Sequence, residues 1–109
     1  MRDYFNEYSR IRPYRTEGVM KLEQKQIDTA LQSLDGWTQY NDEIGKTFLF
    51  ADFGDAMVFV NRVAELAQEA NHHPDIDIRY NSVKLALSTH SEGGLTKKDI
   101  NLARQIEEF

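Results

Sequence analysis

Apolar residues at Leu22, Ile27, Ala30, Leu31 and Leu34 recur with a roughly helical period and stop at the Asp35-Gly36 pair, which predicts a short first helix over 22–34. The strand-favouring runs Trp37-Thr38-Gln39-Tyr40 and Lys46-Thr47-Phe48-Leu49-Phe50 then flank a polar Asn41-Asp42-Glu43 stretch with Gly45, a hairpin pattern. Asp52 is placed to cap a second helix, because a short carboxylate there accepts from N–H groups that the first turn leaves unpaired. From Phe53 the positions Ala56, Met57, Phe59, Val60, Val63, Ala64, Leu66, Ala67 and Ala70 trace a broad apolar stripe through Asn71, and Pro74 forbids continuation. Ile76, Ile78 and Tyr80 alternate with Asp77 and Arg79, and Val83, Leu85 and Leu87 alternate with Lys84, Ala86 and Ser88. A second hairpin is therefore expected to turn at Asn81-Ser82, with one buried face on each strand. Gly93-Gly94 breaks the chain, and Thr96-Lys97-Lys98-Asp99 opens a last helix with the apolar face Ile100, Leu102, Ala103, Ile106 and Phe109.

The order α-β-β-α-β-β-α carries no internal repeat. It is satisfied most simply by a single α+β domain, a four-stranded antiparallel sheet with three helices packed on one face. The edges of so small a sheet invite pairing with a second copy, so a homo-oligomer is expected. The folded domain is assigned to residues 21–109. Residues 1–20 are read as a leader of unassigned role, and Met20 is an alternative start.

Composition narrows the classes. A chain of 109 residues with 40% hydrophobic and 28% charged residues has the profile of an ordinary globular domain, and no apolar run approaches the ~20 residues that span a bilayer. No membrane association is expected, and the cytoplasm is the default location. With no cysteine, disulfides, thiolate metal sites and thiol nucleophiles drop out. The net charge of −5 argues against direct nucleic-acid binding, which needs a clustered basic face. The leader holds Arg2, Arg10, Arg12 and Arg15 against Asp3, Glu7 and Glu17, and lacks the apolar core of a secretory signal.

All three histidines fall within nineteen residues: His72 and His73 at the end of the second helix, His90 at the end of the fourth strand. Imidazole passes protons near neutrality, so the cluster is the sharpest chemical signal in the chain. A plainer reading of His72-His73 is a helix C-cap, where the rings satisfy the last carbonyls before Pro74. A three-histidine zinc site is disfavoured, because adjacent helical residues point ~100° apart and no i,i+4 pair is present. Ser88-Thr89 reads plainly as strand-end polarity, and Thr96 with Asp99 as a capping box. Serine-nucleophile chemistry is set aside because no nucleophile-elbow pattern occurs.

The run Gln68-Glu69-Ala70-Asn71-His72-His73-Pro74, Tyr80 six residues on, Ser88-Thr89-His90 ten after that, and Gly94-Leu95-Thr96 with Asp99 beyond resemble the signature of the pterin-4a-carbinolamine dehydratases. The likeness extends more weakly over Leu34 to Phe109. It implies dehydration of 4a-hydroxytetrahydropterin to quinonoid dihydropterin, the recycling step after aromatic amino-acid hydroxylation, with no metal or organic cofactor. His72 and His90 are then the expected acid/base pair, with His73 orienting substrate or sharing the acid role. Gln68, Asn71, Pro74, Ser88, Thr89 and Asp99 are the expected substrate contacts. A homodimer or homotetramer is implied, as is a second role as dimerisation partner of a homeodomain transcription factor.

The chain departs from that signature at Gln68, where the family usually has an ionisable residue four positions before the first histidine. Glutamine hydrogen-bonds but takes no proton and offers no charge to an imidazolium. Glu69 faces ~100° away on a helix and does not simply replace it.

Overall fold

The computed structural model describes residues 20–109, so the leader assignment falls almost wholly outside the described residues. Helix α1 is Gln24–Leu31, opened by a box in which the Gln26 side chain accepts from the Glu23 N–H. It ends three residues short of the predicted 34. The N–H groups of Gln32, Ser33 and Leu34 take the carbonyls of Thr29, Ala30 and Leu31, three residues back, which tightens the chain into turns. Leu34 and Trp37 are still carried into the core.

Strands β1 (Thr38–Tyr40) and β2 (Glu43–Leu49) meet across a two-residue turn, Asn41-Asp42, with Asn41 at φ 54°. The polar stretch expected to be loop up to Gly45 is therefore already strand from Glu43. Gly45 serves close approach instead: a Cβ there would lie 2.9 Å from the Leu85 carbonyl oxygen of the neighbouring strand. Asp52 caps α2 (Phe53–Ala70) as expected, its Oδ1 accepting from the Asp55 N–H at 2.8 Å. Strands β3 (Asp75–Arg79) and β4 (Ser82–Leu87) turn at Tyr80-Asn81, one residue earlier than predicted. Tyr80 takes φ 51° there, and Asn81 ties the turn to Phe50 through its side-chain amide and its carbonyl. Helix α3 is Lys97–Glu107.

The sheet order is β1-β2-β4-β3, antiparallel throughout. The pairs Ile44↔Leu87 and Phe48↔Val83 place apolar residues of the two central strands on one face. That face buries Ile44, Val83, Leu85 and Leu87 with Ala56, Val60, Val63 and Ala67 of α2, Ile100, Leu102, Ala103 and Ile106 of α3, and Ile27 of α1. Phe48, Phe50, Phe59 and Phe109 extend the core as an aromatic chain with centroids 4.6–5.6 Å apart. Glu107, at the end of α3, accepts from Trp37 Nε1 at 2.9 Å and Lys46 Nζ at 2.7 Å, which pins the helix to the sheet.

One strand breaks the expected pattern. β3 is exposed along its length, with Ile76 and Ile78 still 36% and 37% accessible, so it has no buried face. Its register pairs Ile76 with Leu85 and Ile78 with Val83, so these side chains share the core face, but they lie at the sheet edge beyond the helices.

Candidate functional site

The end of α2 organises the site. Asn71 adopts the left-handed conformation (φ 51°), its N–H donates to the Gln68 carbonyl, and the His72 N–H donates to the Ala67 carbonyl. That pair of bonds is the Schellman closure, which satisfies orphan carbonyls and turns the chain sharply off the helix axis. Asparagine tolerates this conformation better than most residues. The sequence placed Asn71 in the site as a substrate contact; its backbone has the further task of setting where both following histidines go.

His72 turns inward, 9% accessible, with Nε2 2.6 Å from Asp99 Oδ1. Asp99 is fully enclosed, and its second oxygen accepts from Thr89 Oγ1 at 2.8 Å and from the Thr96 N–H at 2.9 Å. A carboxylate only accepts, so the His72 proton sits on Nε2 and the Thr89 proton points at Asp99. Thr89 has no second proton, so across the 2.9 Å Thr89–Thr96 contact the Thr96 hydroxyl is the donor. The result is a directed chain, Thr96 to Thr89 to Asp99, with His72 donating from the other side. Every member is buried and paired, as an enclosed carboxylate requires.

The capping box read from Thr96 and Asp99 is present. The same carboxylate also reaches a histidine 27 residues away, which no local pattern signals. Thr89 is held in place by a bridge to Gly94, with Thr89 N donating to the Gly94 carbonyl at 3.0 Å and Gly94 N returning at 3.4 Å. Gly93, at φ 74°, allows the intervening turn of His90–Glu92 to close.

His73 turns outward. Its Nε2 lies 2.8 Å from Gln68 Oε1, and both side chains are exposed. An amide oxygen accepts, so this ring too is protonated at Nε2. Neither His72 nor His73 has an Nδ1 partner among the described residues.

His90 opens the short 3-10 turn, is exposed, and lines a separate cavity of about 320 Å³ with Ser88, Tyr40, Asp42 and Glu43. The Ser88 hydroxyl donates to the Asp42 carbonyl at 2.7 Å. Neither His72 nor His73 lines that cavity. The structure thus joins His72, Thr89, Thr96 and Asp99 in one network and His73 with Gln68 in another, with His90 linked to the first through the adjoining backbone of Thr89. Pro74 follows His73, half-buried, and leads into β3. Among the described residues no group of three histidine or acidic side chains has the arrangement of a metal site, and no helix is long and apolar enough to cross a membrane.

The family model described as pterin 4 alpha carbinolamine dehydratase matches residues 20–109. A relative from Thermomicrobium roseum, provisionally named pterin-4-alpha-carbinolamine dehydratase, is 52% identical over 91 residues, covering 84% of this chain and 98% of its own. A crystal structure from Brucella melitensis described as a transcriptional coactivator/pterin dehydratase superposes with a TM-score of 0.78 at 37% identity, over 81% of this chain and 96% of that one. A pterin dehydratase-like protein described as a RuBisCO assembly factor of the alpha-carboxysome shares the fold, with a TM-score of 0.54 at 19% identity over 66% and 83% of the two chains. The chain belongs to the pterin 4 alpha carbinolamine dehydratase family.

Proposed function

We propose that the chain dehydrates a 4a-hydroxytetrahydropterin to the quinonoid dihydropterin, with imidazoles as acid and base. The observation that carries the reading is the state of the rings at the end of α2: each is tethered through Nε2, and neither Nδ1 has a partner among the described residues. A ring fixed at one nitrogen and open at the other is suited to proton transfer. In the reaction the C4a–O bond breaks as the oxygen takes a proton from an acid and leaves as water. The N5 proton passes to a base as the C4a–N5 double bond forms. The step is redox-neutral, with one proton given and one taken.

His72 and His90 carry these roles in the proposal, and His73 orients substrate or shares the acid role. Asp99 supplies the counter-charge for an imidazolium formed at His72 during turnover; the neutral Gln68 offers none to His73. Gln68, Asn71, Pro74 and Ser88 remain the candidate contacts to the pterin's amide-like edge. The Thr89 hydroxyl and both Asp99 oxygens are consumed inside the protein, so these two act through His72. The test is absorbance-monitored dehydration of chemically generated 4a-hydroxytetrahydropterin. His72→Ala and His90→Ala are each expected to lower kcat/KM at least ~10²-fold with the circular dichroism spectrum retained. Wild-type rates in both variants would remove the assignment.

A binding module with little turnover, akin to a transcription-factor dimerisation partner, is the second reading. Gln68 favours it, as does the open edge strand, where Ile76, Ile78 and Tyr80 present apolar surface. The same edge supports a homodimer or homotetramer, because an unpaired strand with apolar side chains is a template for a second copy. Light scattering at micromolar concentration is expected to give a multiple of the chain mass; a strictly monomeric mass would show that the edge stays unpaired.

A further inference from the structure

On the side of α3 turned away from Asp99 lies a groove between α1 and α3 with a volume of about 720 Å³. Its floor is apolar, from Leu22, Ala30 and Ile100, and its walls carry Lys25, Lys97 and Arg104. Among the described residues no acidic side chain lines it. None of the three side-chain cations has a hydrogen bond or ion pair among the described residues, and of the acids close to them in sequence Asp28 accepts from Gln24, Glu107 accepts from Trp37 and Lys46, and Asp99 is enclosed in its own network. Three cations without a partner among the described residues, gathered around apolar surface, are anomalous in a chain of net charge −5.

We propose that this groove docks an acidic amphipathic helix of a partner protein. Lys97 and Arg104 sit seven residues apart on one face of α3, about 10 Å along the axis, which matches carboxylates at i and i+7 of an incoming helix. Lys25 faces them from the opposite wall, and the apolar residues between such carboxylates would rest on Ile100, Ala30 and Leu22. The apolar floor selects a peptide over a bare polyanion, which would gain nothing from it. The leader's composition, four arginines against three acids over residues 1–19, does not complement these cations. Asp99 lies about 140–160° around α3 from Arg104 and Lys97, so docking leaves the histidine network untouched.

The test titrates full-length protein against a fluorescein-labelled helical peptide with glutamates at i and i+7 flanking leucines, read by fluorescence anisotropy. Saturable micromolar binding is expected at low ionic strength, weakened at least about tenfold by a Lys97→Glu/Arg104→Glu double variant and by glutamine in place of the peptide's glutamates. A peptide with lysines at the same positions should bind the double variant. Dehydration rate and circular dichroism should be those of the wild type. No saturable binding, or binding indifferent to the reversal, would overturn the proposal. So would an oligouridylate that binds as tightly as the peptide, which would make the groove a general polyanion site. Self-association of the wild type that disappears in the double variant would assign the groove to a second copy and overturn it as well.

Discussion

His72 is buried and donates to a fully enclosed carboxylate, whereas His73, one residue on, is exposed and donates to the neutral amide of Gln68. Both rings use Nε2, and neither Nδ1 has a partner among the described residues. The difference lies in what stands behind the ring: a charge locked by two further donors, Thr89 and the Thr96 N–H, in one case, a solvated amide in the other. It originates at Asn71, whose left-handed turn ends the helix and sends consecutive side chains in opposite directions. Adjacency in sequence therefore does not make the two histidines interchangeable. His72 belongs to the core and His73 to the surface.

The largest effect is expected when the charge behind His72 is removed. In Asp99→Asn one side-chain atom must still accept from the Thr96 N–H, which has no alternative role, so the new amide NH₂ faces His72. His72 then has to accept at Nε2 and carry its proton on Nδ1. With the wrong nitrogen presented, kcat/KM is expected to fall by ~10²-fold or more, and stability by about 1–3 kcal/mol in urea unfolding. His73→Ala, at an exposed pair, should leave stability within about 0.5 kcal/mol. Equal destabilisation by the two changes would show that the inner network is not the stiffer one.

A smaller effect is expected from making the outer histidine resemble the inner one. Gln68→Glu replaces the neutral acceptor of His73 with a charged one, and a charge-assisted bond exceeds its neutral counterpart by roughly 1 kcal/mol. That corresponds to a rise in kcat/KM of about fivefold in the same dehydration assay. An unchanged rate would mean that His73 needs no counter-charge. A lower one would mean that the pterin uses the Gln68 amide itself.

The element order and the core were legible because periodicity reports them directly. Val83, Leu85 and Leu87 alternate as a strand with one buried face, and α2 carries its stripe from Ala56 to Ala67. The same alternation misled at Ile76 and Ile78, since a pattern says which face a residue takes and not whether anything covers it; that depends on β3 lying at the edge of the sheet. Gly45 resembled a turn residue but serves the approach of a neighbouring strand, a contact invisible locally. In the site, the histidines stood out by type and spacing. Thr96 and Asp99 were readable only as a helix cap, because the bond to His72 depends on how α3 packs against the end of α2. The committed state of Thr89 and the separate cavity at His90 are likewise products of packing.

Proton transfer at His72 depends on which of its ring nitrogens is free, and long-range ¹H–¹⁵N correlation of uniformly labelled protein reads this directly. The prediction for the wild type is a His72 ring protonated at Nε2 with an unprotonated Nδ1, and the reverse tautomer in Asp99→Asn. A wild-type His72 protonated at Nδ1, or a tautomer that ignores the Asp99 substitution, would contradict it.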